Sequence, residues 1–141
     1  MLHFLNGDCA AETLRQTGVP GEKAAWSDVL HEGPTPEGLS PDRWREMRAR
    51  FHAECGWGTF EGCVSRLTAM DEALEDYRNH EEVVLWFEHD LFDQLILLRL
   101  LDWFAQRDLG ATKISLICIG EFPGFPNFHG LGQLNAQQLA T

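Results

Sequence analysis

The sequence is short of positive charge, of paired cysteines and of long apolar runs. Eleven Lys and Arg stand against 22 Asp and Glu, a formal net charge of −11. That balance opposes a phosphate backbone or an anionic membrane surface as partner and favours a small molecule or another protein. Cys9, Cys55, Cys63 and Cys118 form no CxxC pair, and each sits in or beside an apolar segment. They read as free, packed thiols of a cytoplasmic protein. No basic start followed by an apolar stretch opens the chain, and its longest apolar stretch, Leu91 to Phe104, is broken by Asp93, Gln94, Arg99 and Asp102. Neither secretion nor membrane spanning is expected. Gly7 stands alone without GxGxxG or GxxxxGK[ST], and HExxH and a nucleophile elbow are missing, so those chemistries lack their physical requirements. There is no internal repeat.

What is present suffices for one domain. A chain of 141 residues with 44% hydrophobic content buries roughly 68–70% of its unfolded surface without help from metal or disulfide. Leu2 to Leu5 is a short apolar run, punctuated by Asn6-Gly7-Asp8 before a helical stretch from Cys9 to Thr17. Lys23 to Trp26 reads as a second strand and 33–38 as a loop. Ser40-Pro41 starts a helix with Ser at the N-cap and Pro at the first position, and Trp44, Met47 and Phe51 form its apolar stripe. Phe60, Val64, Leu67, Met70, Leu74 and Tyr77 recur at helical spacing. Val83 to Phe87 and Ile114 to Ile119 are apolar without alternation, as in buried parallel strands. Asp90 caps a helix that Gly110 ends.

This order predicts a three-layer α/β sandwich with a mainly parallel sheet of about four strands, Rossmann-like or, most simply, in the flavodoxin-like order 2-1-3-4. Ligands of such sheets bind beyond the carboxyl ends of the strands. There the chain places Asn6 and Asp8 after strand 1, Asp28, His31 and Glu32 after strand 2, Glu88, His89, Asp90, Asp93 and Gln94 after strand 3, and Glu121 after strand 4. The expected site joins His89 as general acid or base with Glu88 or Asp93 orienting it, while Asn6, Asp8, Asp28, His31, Asp90, Gln94 and Glu121 contact the ligand. Asp8 and Asp90 have a competing role as helix N-caps. Carboxylate and imidazole suit Zn²⁺, Mn²⁺ or Fe²⁺, but no fixed ligand spacing exists, and no metal or cofactor is assigned. Cys9 is expected to pack in the interior. Arg43, Arg45, Arg48 and Arg50 read as a solvated helix face, so no nucleic-acid partner is expected. The loop 120–132, with Phe122, Phe125 and Phe128 three apart, is either a lid over the site or a dock for a further segment.

Four blocks, Asn6-Gly7-Asp8, 26–34 (WSDVLHEGP), 86–94 (WFEHDLFDQ) and 120–124 (GEFPG) with 130–134 (GLGQL), resemble the bacterial family named domain of unknown function 1835, over nearly the whole chain. The resemblance implies an N-terminal α/β domain, here 1–134, continuing into a helical region that starts at 135–141, and it assigns no chemistry. Asn135 with Gln138 reads as the cap of that helix. The expected function is therefore a domain that binds a small polar ligand, a nucleotide or phosphorylated metabolite among the options, with hydrolase or transferase chemistry at the carboxyl edge. The alternative is a non-catalytic protein-interaction module that docks a C-terminal helical domain or a partner, with a second copy among the options.

Overall fold

The computed structural model describes residues 1–140, and Thr141, the end of the expected 135–141 segment, lies outside the described residues. Four five-residue strands, β1 (Leu2–Asn6), β2 (Glu22–Trp26), β3 (Glu82–Trp86) and β4 (Lys113–Ile117), pair in parallel in the order β2-β1-β3-β4. The expected order is the observed one. The register sets Phe4 opposite Ala24 and Leu85, and Leu85 opposite Leu116. Alternate side chains therefore leave on opposite faces.

One face carries Leu2, Phe4, Trp26, Val83, Leu85 and Phe87 into a core with α2 (Pro41–Glu54), α3 (Phe60–Glu75) and α4 (Leu91–Ala105). The other carries Leu5, Val84 and Trp86 against α1 (Gly7–Arg15), with Leu131 and Leu134 completing the layer. Leu131 belongs to a 3-10 turn, Leu131–Gln133, that precedes α5 (Ala136–Leu139). The α/β sandwich is thus three-layered, with both faces of the sheet covered. Ser40, Thr59, Asp90 and Asn135 accept the first-turn N–H groups of α2, α3, α4 and α5, and Asn135 and Gln138 make a reciprocal capping box. No helix among the described residues is long and apolar enough to cross a membrane.

Several local expectations change. In α2 the fully buried positions are Arg48, Ala49 and His52, whereas Trp44, Met47 and Phe51 are half-buried. The helix is turned so that a cation meets Asp28, since a carboxylate taken from water is either paired or driven toward its neutral form. The solvated-face reading therefore fails for Arg48. Strand β4 is an edge strand, with Leu116 half exposed: no further strand pairs beyond it among the described residues. Only Cys63 is buried, while Cys9, Cys55 and Cys118 are exposed. Asp8 does not cap α1. Gly7, at φ +75°, makes the turn from strand to helix, Asn6 occupies the cap position without a side-chain cap bond, and Asp8 sits in the first turn.

Candidate functional site at the carboxyl edge

Parallel strands β1 and β3 end side by side, so Asn6 leaves β1 next to the chain that leaves β3 at Glu88. Asp90 starts α4, and one turn of helix brings Asp93 back beneath that strand end. Asp93 is fully buried. Its Oδ1 accepts a hydrogen bond from Asn6 Nδ2, and its Oδ2 accepts the Glu88 backbone N–H at 2.6 Å. Its own N–H donates to Asp90 Oδ1 at 3.0 Å, the N-cap bond of α4. Gln94 Nε2 donates to the Glu88 carbonyl at 2.6 Å. One carboxylate therefore ties the ends of β1 and β3 to the first turn of α4.

In this knot three carboxylates meet, and among the described residues no cation is bonded to them. Carboxylate oxygens of Glu88, Asp90 and Asp93 all lie within 4.8 Å of one another. Burial is the chief cause that raises the Asp93 carboxyl to about 6, with the Asp90 and Glu88 charges adding to it against the hydrogen bonds from Glu88 N–H and Asn6. The three oxygens would suit a hard cation on spacing alone, but acidic groups cluster without one often enough that no metal is assigned.

The knot opens on a cavity of about 330 Å³ between α1 and the 131–139 segment. Asn6, Glu88 and Asp93 supply its polar wall, Leu5, Trp86, Leu131, Leu134 and Leu139 its apolar walls, and Cys9 and Thr13 of α1 complete the lining. An apolar cavity with a few convergent polar groups is the usual form of a small-molecule site. Gly130, just before the lining residues Leu131 and Gly132, is held at φ +155° against the Glu88 side chain, where a Cβ would overlap the carboxylate. The Gly132 N–H then donates to Glu88 Oε1 at 3.3 Å.

Of the residues expected at the site, Asn6, Glu88, Asp90, Asp93 and Gln94 are brought into one network, and the others are placed elsewhere. His89 is exposed and makes no hydrogen bond or ion pair among the described residues, and it does not line the cavity. Asp8 is exposed on α1. His31 is 3.5 Å from Glu32 and packs its ring edgewise on Phe92 of α4, outside the network. Glu121 is exposed on the phenylalanine loop. In that loop Phe122, Phe125 and Phe128 stack on one another at 5.9 to 6.2 Å, and an antiparallel bridge joins Phe122 to Phe125. The loop has its own aromatic centre, which packs against the second core.

Asp28 is buried in a closed cluster. Arg48 Nε and Nη2 donate to its Oδ1 at 2.9 and 2.7 Å, and His52 Nε2 lies 3.1 Å from the same oxygen. Burial raises the Asp28 carboxyl, but the His52 and Arg48 partners outweigh it and hold the group below the usual carboxylate range. Arg48 also donates to the carbonyls of Val29, Glu32 and Pro34. This cluster shapes the 28–34 loop.

Sequence reasoning missed Cys9, Thr13 and the 131–139 residues as cavity walls. The small-residue positions on α1 gave no signal, since an uncapped helix start cannot be told from a capped one without the backbone. Compared with family models, with curated proteins and with solved structures, the chain gives no match.

Proposed function

We propose that the chain is a cytoplasmic domain that binds a small polar ligand in the cavity at the carboxyl edge, with Asp93 as its proton-bearing group. The observation that carries this reading is a fully buried Asp93 without a bonded cation, set in the wall of a partly apolar cavity. A carboxyl raised to about 6 stands near the range in which general acids and bases work. The acid–base role expected of His89 falls to Asp93, with Glu88 beside it and Asn6 fixing its orientation. Hydrolase or transferase chemistry would use that proton at Asp93 on a leaving or attacking oxygen of the ligand.

Glu88 and Asp93 in the cavity wall, with Asp90 beside them, disfavour a phosphate dianion. A ligand rich in hydroxyl or amine donors, a nucleoside or a sugar without its phosphate, fits better. Membership of the domain of unknown function 1835 family belongs to the same proposal and rests on the four motif blocks.

Thermal-shift and calorimetric titration with nucleosides, amino sugars and their phosphorylated counterparts tests the reading. An unphosphorylated ligand is expected to bind, with affinity about tenfold weaker in Glu88→Gln, by the worth of one hydrogen bond to a charged group, and unchanged in His89→Ala. Absence of binding across the panel, or binding indifferent to both Glu88→Gln and Asp93→Asn, overturns it.

A second reading, an interaction module, is favoured by Leu91, Leu98 and Leu101 of α4 and Leu116 of β4, which are 65, 61, 42 and 50% exposed. It expects self-association, or capture of a supplied C-terminal region, that Leu98→Glu abolishes in light scattering.

A further inference from the structure

A second cavity, of about 600 Å³, lies between α2, α3 and α4 and shares no lining residue with the one at the carboxyl edge. Two indoles face it, each carrying a guanidinium: Arg99 stands 4.1 Å over the Trp44 ring and Arg107 3.3 Å over the Trp103 ring. The cations differ in what else they do. Arg107 donates to the Trp103 carbonyl at 2.9 Å and reaches Glu75 at 3.4 Å. Arg45, also in the wall, is held by Asp71 at 2.6 Å and by Asp42. Arg99 makes no hydrogen bond or ion pair among the described residues, although it is half-buried. Burial lowers its pKa, and the nearby Asp28 and Asp71 charges act against that without bonding it.

A guanidinium held over an indole face spends none of its N–H donors on a hydrogen-bond partner there, which leaves them for a planar, bidentate acceptor. Arg99 thus has free donors that suit a carboxylate. Opposite charge is also available in the same cavity, where the Glu72 side chain of α3 makes no hydrogen bond or ion pair among the described residues. The lining holds Asp71, Glu72, Glu75 and Asp76 against Arg45, Arg99 and Arg107, a slight negative excess in a chain already at −11. A phosphate or other dianion is repelled by that field, whereas a zwitterion is not. With Trp44 and Trp103 also in its lining, the cavity combines one carboxylate anchor, one carboxylate for an ammonium, and aromatic residues.

We infer that the cavity between α2, α3 and α4 binds a small amino acid-like zwitterion with an apolar or aromatic body, its carboxylate on Arg99 and its ammonium toward Glu72.

Calorimetric titration of the intact chain with L-phenylalanine tests this, with 3-phenylpropionate and phenethylamine as single-charge controls and inorganic phosphate as the anion control. Phenylalanine is expected to bind at least tenfold more tightly than either single-charge control, and phosphate not at all. Arg99→Gln is expected to weaken phenylalanine and phenylpropionate at least tenfold and leave phenethylamine unchanged. Glu72→Gln, a surface change that does not threaten folding, is expected to weaken phenylalanine and phenethylamine but not phenylpropionate. No binding of phenylalanine, phosphate binding more tightly than phenylalanine, or equal binding by wild type and Glu72→Gln overturns the inference.

Discussion

Two buried aspartates, both placed by the carboxyl ends of the strands, have opposite fates in this molecule. Asp28, after β2, is 1% exposed and meets the Arg48 guanidinium and the His52 ring. Asp93, in the first turn after β3, is 0% exposed and meets only amide N–H donors and two further carboxylates. The first is pulled below the ordinary carboxylate range and the second pushed up to about 6. Burial is the largest influence on both and acts upward on both, so what separates them is the supply of a cation by the neighbouring helix. Helix α2 brings Arg48 to Asp28, while α4 brings Asp90 to Asp93. A fully paired carboxylate has its proton state fixed and serves to hold the 28–34 loop. An unpaired one retains a proton equilibrium near neutrality and opens onto a cavity.

Taking the cation away from Asp28 is expected to cost the most stability. Arg48→Met keeps most of the apolar stem but leaves a buried carboxylate and the carbonyls of Val29, Glu32 and Pro34 without their donor. Removing one partner of a buried ion pair costs about 3–5 kcal/mol. Urea unfolding of Arg48→Met is expected to show a loss of that size, with proteolysis of the 28–34 loop in the variant and not in wild type. A loss below about 1 kcal/mol, the range of exposed pairs, would mean that Asp28 does not depend on Arg48.

The two carboxylates also oppose each other in pH dependence. Asp28 has a folded pKa below its unfolded value of 3.8, so its stabilisation is present above that value and is lost as pH falls through the folded one. Asp93 has a folded pKa of about 6 against 3.8. The folded state therefore holds more protons, and its contribution is complete below 3.8 and lost as pH rises through about 6. The loss amounts to about 3 kcal/mol at 1.36 kcal/mol per unit. In Asp93→Asn that slope is expected to vanish, so the stability difference between variant and wild type changes between pH 4 and 6.5 and is flat above it. A difference independent of pH across that window would place the Asp93 carboxyl at its ordinary value.

The sheet and its order were legible because apolar runs such as Val83 to Phe87 and the caps at Ser40 and Asp90 each carry a local physical cause. Topology then brought the ends of β1 and β3 together, and Asn6, Glu88, Asp90, Asp93 and Gln94 were readable as one group on that ground alone. The division of labour inside the group was not. Whether a side chain such as Asp93 turns inward or, like His89, outward depends on helix rotation, which a strand-end motif does not encode. Arg48 was hidden for a similar reason: among the four arginines between 43 and 50 the one that is buried is chosen by a partner 20 residues away. The cavity between the indoles was hidden because Trp44, Glu72 and Arg99 come from three different helices.

The smallest effect is the most discriminating, because it separates a cap from a charge. Asp90 both caps α4, through Asp93 N–H at 3.0 Å, and contributes a charge that raises the Asp93 carboxyl. Asp90→Asn keeps an acceptor at the cap and removes the charge, whereas Asp90→Ala removes both. Loss of an N-cap costs about 1 kcal/mol, and Asn serves there as well as Asp. Asp90→Ala is therefore expected to lose about that much stability, and Asp90→Asn almost none. Yet both should move the Asp93 titration, followed by carboxyl-carbon NMR, toward lower pH by the same amount, since both remove the same neighbouring charge. An Asp93 titration that shifts in Asp90→Ala alone would show that the cap geometry, and not the missing cation, sets the proton equilibrium at the carboxyl edge, and the contrast with Asp28 would then rest on burial and helix geometry instead of charge.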